Sequence, residues 1–198
     1  MTIREALDRD VLARNLLEHP FYRAWSAGTL PASALAAYAR EYGAFVATLP
    51  EGWTALRDDE TAEEEREHAR LWDAFARALH TEVGAASTPE VRTLLAVAAR
   101  HFAEPATAAG ALYAFERQQP ATAESKLAGL RAFYALGPAA ERYFEEHTRN
   151  QHEAEKLATR IEALDPEGRA RAQVACREMS QALWNALSGL HPGDCPAA

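Results

Sequence analysis

Apolar positions recur along this chain at steps of three and four, the period of one face of an α-helix. Leu35, Tyr38, Tyr42, Phe45, Val46 and Leu49 draw one such stripe, and Pro31 before it and Pro50 after it predict a core-facing helix between them. The same period predicts further helices over 3–18, 20–28, 60–80, 88–103, 105–118, 120–135, 138–164 and 167–190. Ser87-Thr88-Pro89-Glu90 has the pattern of a capping box with proline early in the helix, while Gly137-Pro138 and Asp165-Pro166 break long helical stretches. β-branched runs of period two do not occur, so the fold class is expected to be all-α, a single-domain helical bundle.

In such a bundle the informative residues are ionisable groups at positions where the stripe asks for something apolar. His68 shares a face with Leu71, Trp72, Phe75 and Leu79. Glu116 follows Leu112 by four in a run of small residues, and its burial would cost several kcal/mol without a cation or metal beside it. His147 follows Tyr143 and Phe144 by four and three, on a face that continues through Gln151, Ala154, Ala158 and Ile161. On that helix His152 is rotated from His147 by about 140° and reads as solvated, whereas Glu155, rotated by about 80°, stays open. The acidic run from Asp58 to Glu67 opens the His68 helix and is mostly a solvated face, from which Glu60 is placed to reach inward. Glu60, His68, Glu116 and His147 are the donor types a bundle uses for iron or manganese. The plainer readings are a hydrogen-bonded core histidine at 68 and a structural ion pair at 116. Tyr22 reads as a core aromatic with a capped hydroxyl or as a working phenol, and Lys126 as a snorkelling stem or as a buried amine.

Composition narrows the classes. Of 198 residues 48% are hydrophobic and 25% charged, a globular balance, and the net charge of −8 with no basic cluster argues against nucleic acid as a partner. No apolar run approaches the ~20 residues of a membrane span, and MTIREALDRD lacks the pattern of a signal peptide. The expectation is a cytoplasmic protein without a membrane partner, acting on a small molecule or on its own side chains. One domain over 1–190 and a loosely ordered tail over 191–198 are expected, with Cys176 and Cys195 as free thiols.

Several of these residues lie in words that resemble one family. His19-Pro20-Phe21-Tyr22 with Trp25-Ser26 and Gly28, His68 with Leu71-Trp72 and Phe75, Ala111-Leu112-Tyr113 with Glu116, Gln118, Pro120, Lys126 and Gly129-Leu130, and Tyr143-Phe144 with His147 resemble the CADD-like para-aminobenzoate synthases. These belong to the TenA/PqqC branch of the heme-oxygenase-like superfamily, and the resemblance runs from about residue 10 to the tail. It implies a bundle of seven or more helices, commonly a homodimer, with a non-heme di-iron site that activates dioxygen for folate biosynthesis.

Carried over position by position, the resemblance makes Glu60 (with a one-residue insertion before His68), His68, Glu116 and His147 metal ligands. It makes Tyr22 the tyrosine that is consumed and Lys126 the lysine that supplies nitrogen. The family's carboxylate and second histidine after His147 fall on Gln151 and Ala154, or on Asn150 and Glu153 if one residue is deleted there, and its tyrosine before the glutamate is Phe115. Four matched donors imply an altered site of one metal, iron or manganese, with dioxygen as co-substrate. The alternatives are a metal-free enzyme of the PqqC/TenA kind and a non-enzymatic binding protein on the same scaffold.

Overall fold

Proline and small residues set the layout. In the computed structural model, which describes residues 1–150 and 152–191, proline occupies the first position of α2 (Pro20–Ser26), α6 (Pro89–His101), α7 (Pro105–Glu116), α9 (Pro138–His147) and α11 (Pro166–Leu190). The missing N–H is harmless there, and the fixed φ suits a helix start. The other helices are α1 (Ile3–Leu12), α3 (Ala32–Val46), α4 (Leu49–Ala55), α5 (Asp59–Ala78), α8 (Gln119–Gly129) and α10 (His152–Glu162). A 3₁₀ turn covers Leu16–Glu18 and a π-helical turn Leu130–Tyr134. No strand occurs among the described residues, as the periodicity predicted. No described helix is long and apolar enough to cross a membrane. The tail expected to be loosely ordered, with Cys195, lies outside the described residues apart from His191, and so does Gln151.

Helix α7 is central. Its sequence PATAAGALYAFE is apolar around its whole circumference, and every residue from Ala108 to Glu116 is buried. A helix of that kind belongs inside a bundle. Small side chains let α11 lie directly on it: a Cβ on Gly110 would stand 1.9 Å from the carbonyl oxygen of Ala172. Backbone cannot move aside as a flexible side chain can. Gly110→Ala is therefore expected to cost about 3 kcal/mol or more, read as a lower denaturation midpoint with unchanged slope; a midpoint within error of wild type would contradict this packing.

Helix α5 packs against α3, α4 and α9, α10 against α7, and α8 against α9, so α5, α7, α9 and α10 surround one point of the interior.

The structure corrects several boundaries. The helix expected over 3–18 ends at Leu12, and the one expected over 138–164 is interrupted between His147 and His152. Pro50 does not close α3, which ends at Val46; it sits in the first turn of α4. The capping box expected at residues 87–90 is replaced by a tertiary cap. Glu41 of α3 accepts hydrogen bonds from the backbone N–H of Ser87 and Thr88 at 3.1 and 2.8 Å and from the Ser87 hydroxyl. Burial alone would raise the Glu41 carboxyl, but these bonds hold it below the ordinary carboxylate value.

Candidate metal centre

Helix α5 is amphipathic, and its buried face reads Thr61, Ala62, Glu65, Trp72, Phe75 and Ala76. Glu65 precedes Trp72 by seven residues and His68 by three, so it lies on the apolar stripe while Glu63, Glu64 and Glu67 face solvent. Glu60, expected among the metal donors, is exposed in the first turn of the helix. It lies five positions before Glu65, a rotation of about 140° that carries it off the inner face. Glu65 takes the inward position instead; sequence reasoning missed it, although the Glu-x-x-His spacing of Glu65 and His68 was a signal that could have found it.

The interruption after His147 has a similar consequence. Counting rotation through an unbroken helix points Ala154 inward as the next donor position. Because α10 starts afresh at His152, its buried stripe is Glu153, Ala154, Leu157, Ala158 and Ile161, and Glu153 is fully buried. Glu155 is exposed and pairs with Arg4 at 2.6 Å.

Three of the four expected donors, His68, Glu116 and His147, thus converge with Glu65 and Glu153. Their ligand atoms form two triads, Glu65–His68–His147 and Glu65–Glu116–Glu153, in each of which all donors lie within 4.8 Å of one another. Glu65 belongs to both. Its Oε1 lies 3.0 Å from His68 Nδ1, and the His68 and His147 rings stand 4.4 Å apart. His147 Nδ1–H donates to the Tyr143 carbonyl at 2.6 Å, which fixes the tautomer with Nε2 as the free acceptor.

The donor set fits a metal ion. Glu65 Oε2, both oxygens of Glu116, both oxygens of Glu153 and His147 Nε2 are buried with no hydrogen-bond partner among the described residues. No Lys or Arg pairs with Glu65, Glu116 or Glu153 among the described residues. Buried carboxylates without partners are costly, and three together add mutual repulsion. Burial first, then Glu153 and Glu65, push the Glu116 carboxyl well above its ordinary value. Burial likewise raises Glu65. Burial together with the neighbouring His68 lowers His147 to about 3, so its imidazole is neutral and free to ligate. Cations of the iron or manganese class held in the two triads would give these atoms partners.

Tyr22 and Lys126, the other two residues singled out, meet in a buried aromatic chamber beside the cluster. His19 caps α2 by accepting from the Phe21 N–H at 3.0 Å, and the helix points Tyr22 inward, where its hydroxyl lies 2.9 Å from that of Tyr38. Lys126 Nζ stands 5.0 Å above the Tyr22 ring, 5.4 Å from the Phe144 ring and 3.5 Å from the Tyr38 hydroxyl. It does not snorkel to solvent. Desolvation lowers its ammonium to about 7, and burial raises the Tyr22 phenol. Between chamber and cluster lie the rings of Trp72, 5.4 Å from Tyr38, and Tyr143, 4.8 Å from Trp72 and 4.2 Å from His147. Sequence reasoning missed Tyr38, Trp72 and Tyr143 as neighbours of the chemistry, since their spacing is that of ordinary core.

Comparison with known proteins gives the family and the fold. The family model described as iron-containing redox enzyme matches residues 35–185. The chain belongs to that family. Among curated relatives it is 30% identical to the 4-aminobenzoate synthase of Nitrosomonas europaea over 98% of this chain and 93% of that protein. It is 31% identical to the 4-aminobenzoate synthase of Chlamydia muridarum over the same shares of the two chains. Its fold is that of a TenA homolog from Pseudomonas syringae pv. tomato, at TM-score 0.75 and 16% identity over 95% of this chain and 90% of that one. It is also that of a domain with a heme oxygenase-like fold from Shewanella denitrificans, at TM-score 0.76 and 15% identity over 96% and 90% of the two chains. The heme-oxygenase-like fold class expected from the sequence is therefore the fold observed.

Proposed function

We propose that this family member is an oxygen-dependent 4-aminobenzoate-forming enzyme that holds two iron ions in the two triads, with Glu65 shared between them. The observation that carries the reading is the group of buried, unpartnered donors on four helices beside an equally buried phenol and amine. An altered one-metal site was expected on four donors. Replacing Glu60 by Glu65 and adding Glu153 gives five, enough for two triads that have one carboxylate in common.

Iron held there would supply one-electron redox chemistry toward dioxygen. The chain's own residues prepare the rest. Phe21, Trp25 and Phe144 exclude water from Tyr22 and Lys126, since all three are fully buried around them. Tyr38 fixes the Tyr22 hydroxyl, and the Gln119 amide N–H holds the Tyr143 hydroxyl at 3.0 Å. Lys126 at about 7 is neutral in much of its population near neutral pH, so its lone pair is available as a nitrogen source without a separate base. The Cys176 thiol is buried in α11 and pushed up to about 12, which makes it a poor nucleophile for a hydrolytic alternative of the TenA kind. Manganese in place of iron is compatible with the same donor set, and the homodimer that the family resemblance implies belongs to this reading.

Anaerobic loading with Fe(II), removal of excess metal and quantification should give about two ions per chain. Admission of oxygen and reductant should then yield 4-aminobenzoate. No retained metal would overturn the reading, and one ion per chain would return it to a single-metal site.

A further inference from the structure

A third group of donors lies outward of the two triads. Glu64, His152 and Glu153 place ligand atoms within 4.8 Å of one another, and Glu64 and His152 are exposed whereas Glu153 is fully buried. The groups form a series. Glu153 is common to the outer triad and to Glu65–Glu116–Glu153, just as Glu65 is common to that triad and to Glu65–His68–His147. A cavity of about 260 Å³ opens over the outer group, and its wall includes Glu64, His68, Asn150, His152 and Glu153. Two buried side chains on that wall are unsatisfied: Asn150 Oδ1 and both oxygens of Glu153 have no partner among the described residues. An exposed acidic pair alone would be an ordinary solvated surface. Here it stands over buried unpaired oxygens, one set of which belongs to the inner cluster.

We propose that Glu64 and His152, with Asn150 and Glu153 behind them, form a transient divalent-cation site through which the metal reaches the buried centre. The physical need is clear. A hydrated divalent ion sheds water reluctantly, and stepwise exchange of water for carboxylate and imidazole avoids a fully stripped ion at any stage. Each shared carboxylate can engage the next position before releasing the last. The outer pair has mixed oxygen and nitrogen donors, which suits a first-row divalent ion rather than calcium or magnesium. Its exposure makes it a weak site that passes the ion on.

The proposal rests on the inner cluster being a metal centre, and the test separates the two. Co(II) is mixed with metal-free protein in a stopped-flow instrument, and visible absorbance reports both the rate and the final number of ions bound. Wild type, the double variant Glu64→Gln/His152→Ala and the control Glu63→Gln, an exposed carboxylate on the same helix, are compared. The double variant is expected to load about tenfold more slowly, the scale on which a local focusing site raises capture. Its final occupancy should equal that of wild type. The control should change the rate less than about twofold, as a screened surface charge does. A double variant that loads at the wild-type rate overturns the transfer site, as does a control that slows equally. Lower final occupancy in the double variant also overturns it, because the two residues would then be ligands of the centre itself. Absence of Co(II) uptake by wild type overturns the centre, and the transfer site with it.

Discussion

Tyr22→Phe should abolish 4-aminobenzoate formation while leaving iron content and fold in place. The substitution removes one hydroxyl that hydrogen-bonds the Tyr38 hydroxyl at 2.9 Å, a loss of about 1 kcal/mol. Tyr38 keeps its contact with Lys126, and Phe fills the same aromatic space against Phe21 and Trp25. Stability and metal binding should therefore be nearly those of wild type, whereas a reaction that needs the phenol ring loses its starting material. Peptide mass spectrometry after iron, reductant and oxygen should show a mass change in the wild-type peptide that contains Tyr22 and none in the variant. Lys126→Met supplies the companion result. It replaces a buried amine, whose ammonium is depressed to about 7, by an apolar chain, so it should raise stability below that pH, where burying the charge costs most, and still give no product. In wild type, product formation should rise as pH climbs through about 7 and the amine loses its proton. Undiminished product from Tyr22→Phe would show that the ring comes from a diffusible substrate and that the chamber is a binding site.

How much of this was legible in the sequence follows from where its patterns are interrupted. Stripes of period 3.6 place His68, Glu116 and His147 inward because apolar neighbours at three and four residues surround each of them. Glu65 sits on the same stripe as Trp72, but four other glutamates between positions 60 and 67 obscure it, and a run of like charges reads as solvent-facing. Glu153, reached in the sequence only by allowing a one-residue deletion, was obscured for a different reason. The interruption after His147 contains neither glycine nor proline, so nothing marks it; a rotation counted across it still brings Ala154, Ala158 and Ile161 to the buried face but passes over Glu153. The break after Leu12 is unmarked in the same way. Tyr22 and Lys126 show the limit of spacing: a phenol or an amine near an apolar stripe is compatible with core, surface or site. Only packing of α2 and α8 around Tyr38 and Phe144 decides that both are buried together. The tertiary cap from Glu41 belongs to the same class, because a local capping motif gives no hint that a distant carboxylate has replaced it.

Glu116→Gln should abolish most metal binding and yet stabilise the metal-free protein, the reverse of the usual result for a buried polar group. Without metal, Glu116 is a fully buried carboxyl with no cationic partner among the described residues, and it faces Glu65 and Glu153. Its value is raised well above normal by burial and then by those two neighbours. The folded state therefore binds a proton that the unfolded chain releases above the ordinary carboxylate value, so stability is greatest at low pH and falls as pH rises from there. Glutamine keeps the shape, removes the charge and does not titrate. Metal-free Glu116→Gln should accordingly melt higher than metal-free wild type at pH 8, with the gap narrowing toward pH 5. Metal reverses the order: wild type at a hundredfold excess over Kd should gain about 3 kcal/mol, while the variant, missing a donor of the second triad, gains much less. Thermal melts of both proteins with and without Fe(II) under anaerobic conditions at the two pH values provide the comparison. If Glu116→Gln instead destabilises the metal-free protein and Fe(II) shifts neither melt, Glu116 has a structural partner in solution and the interior cluster is not a metal centre.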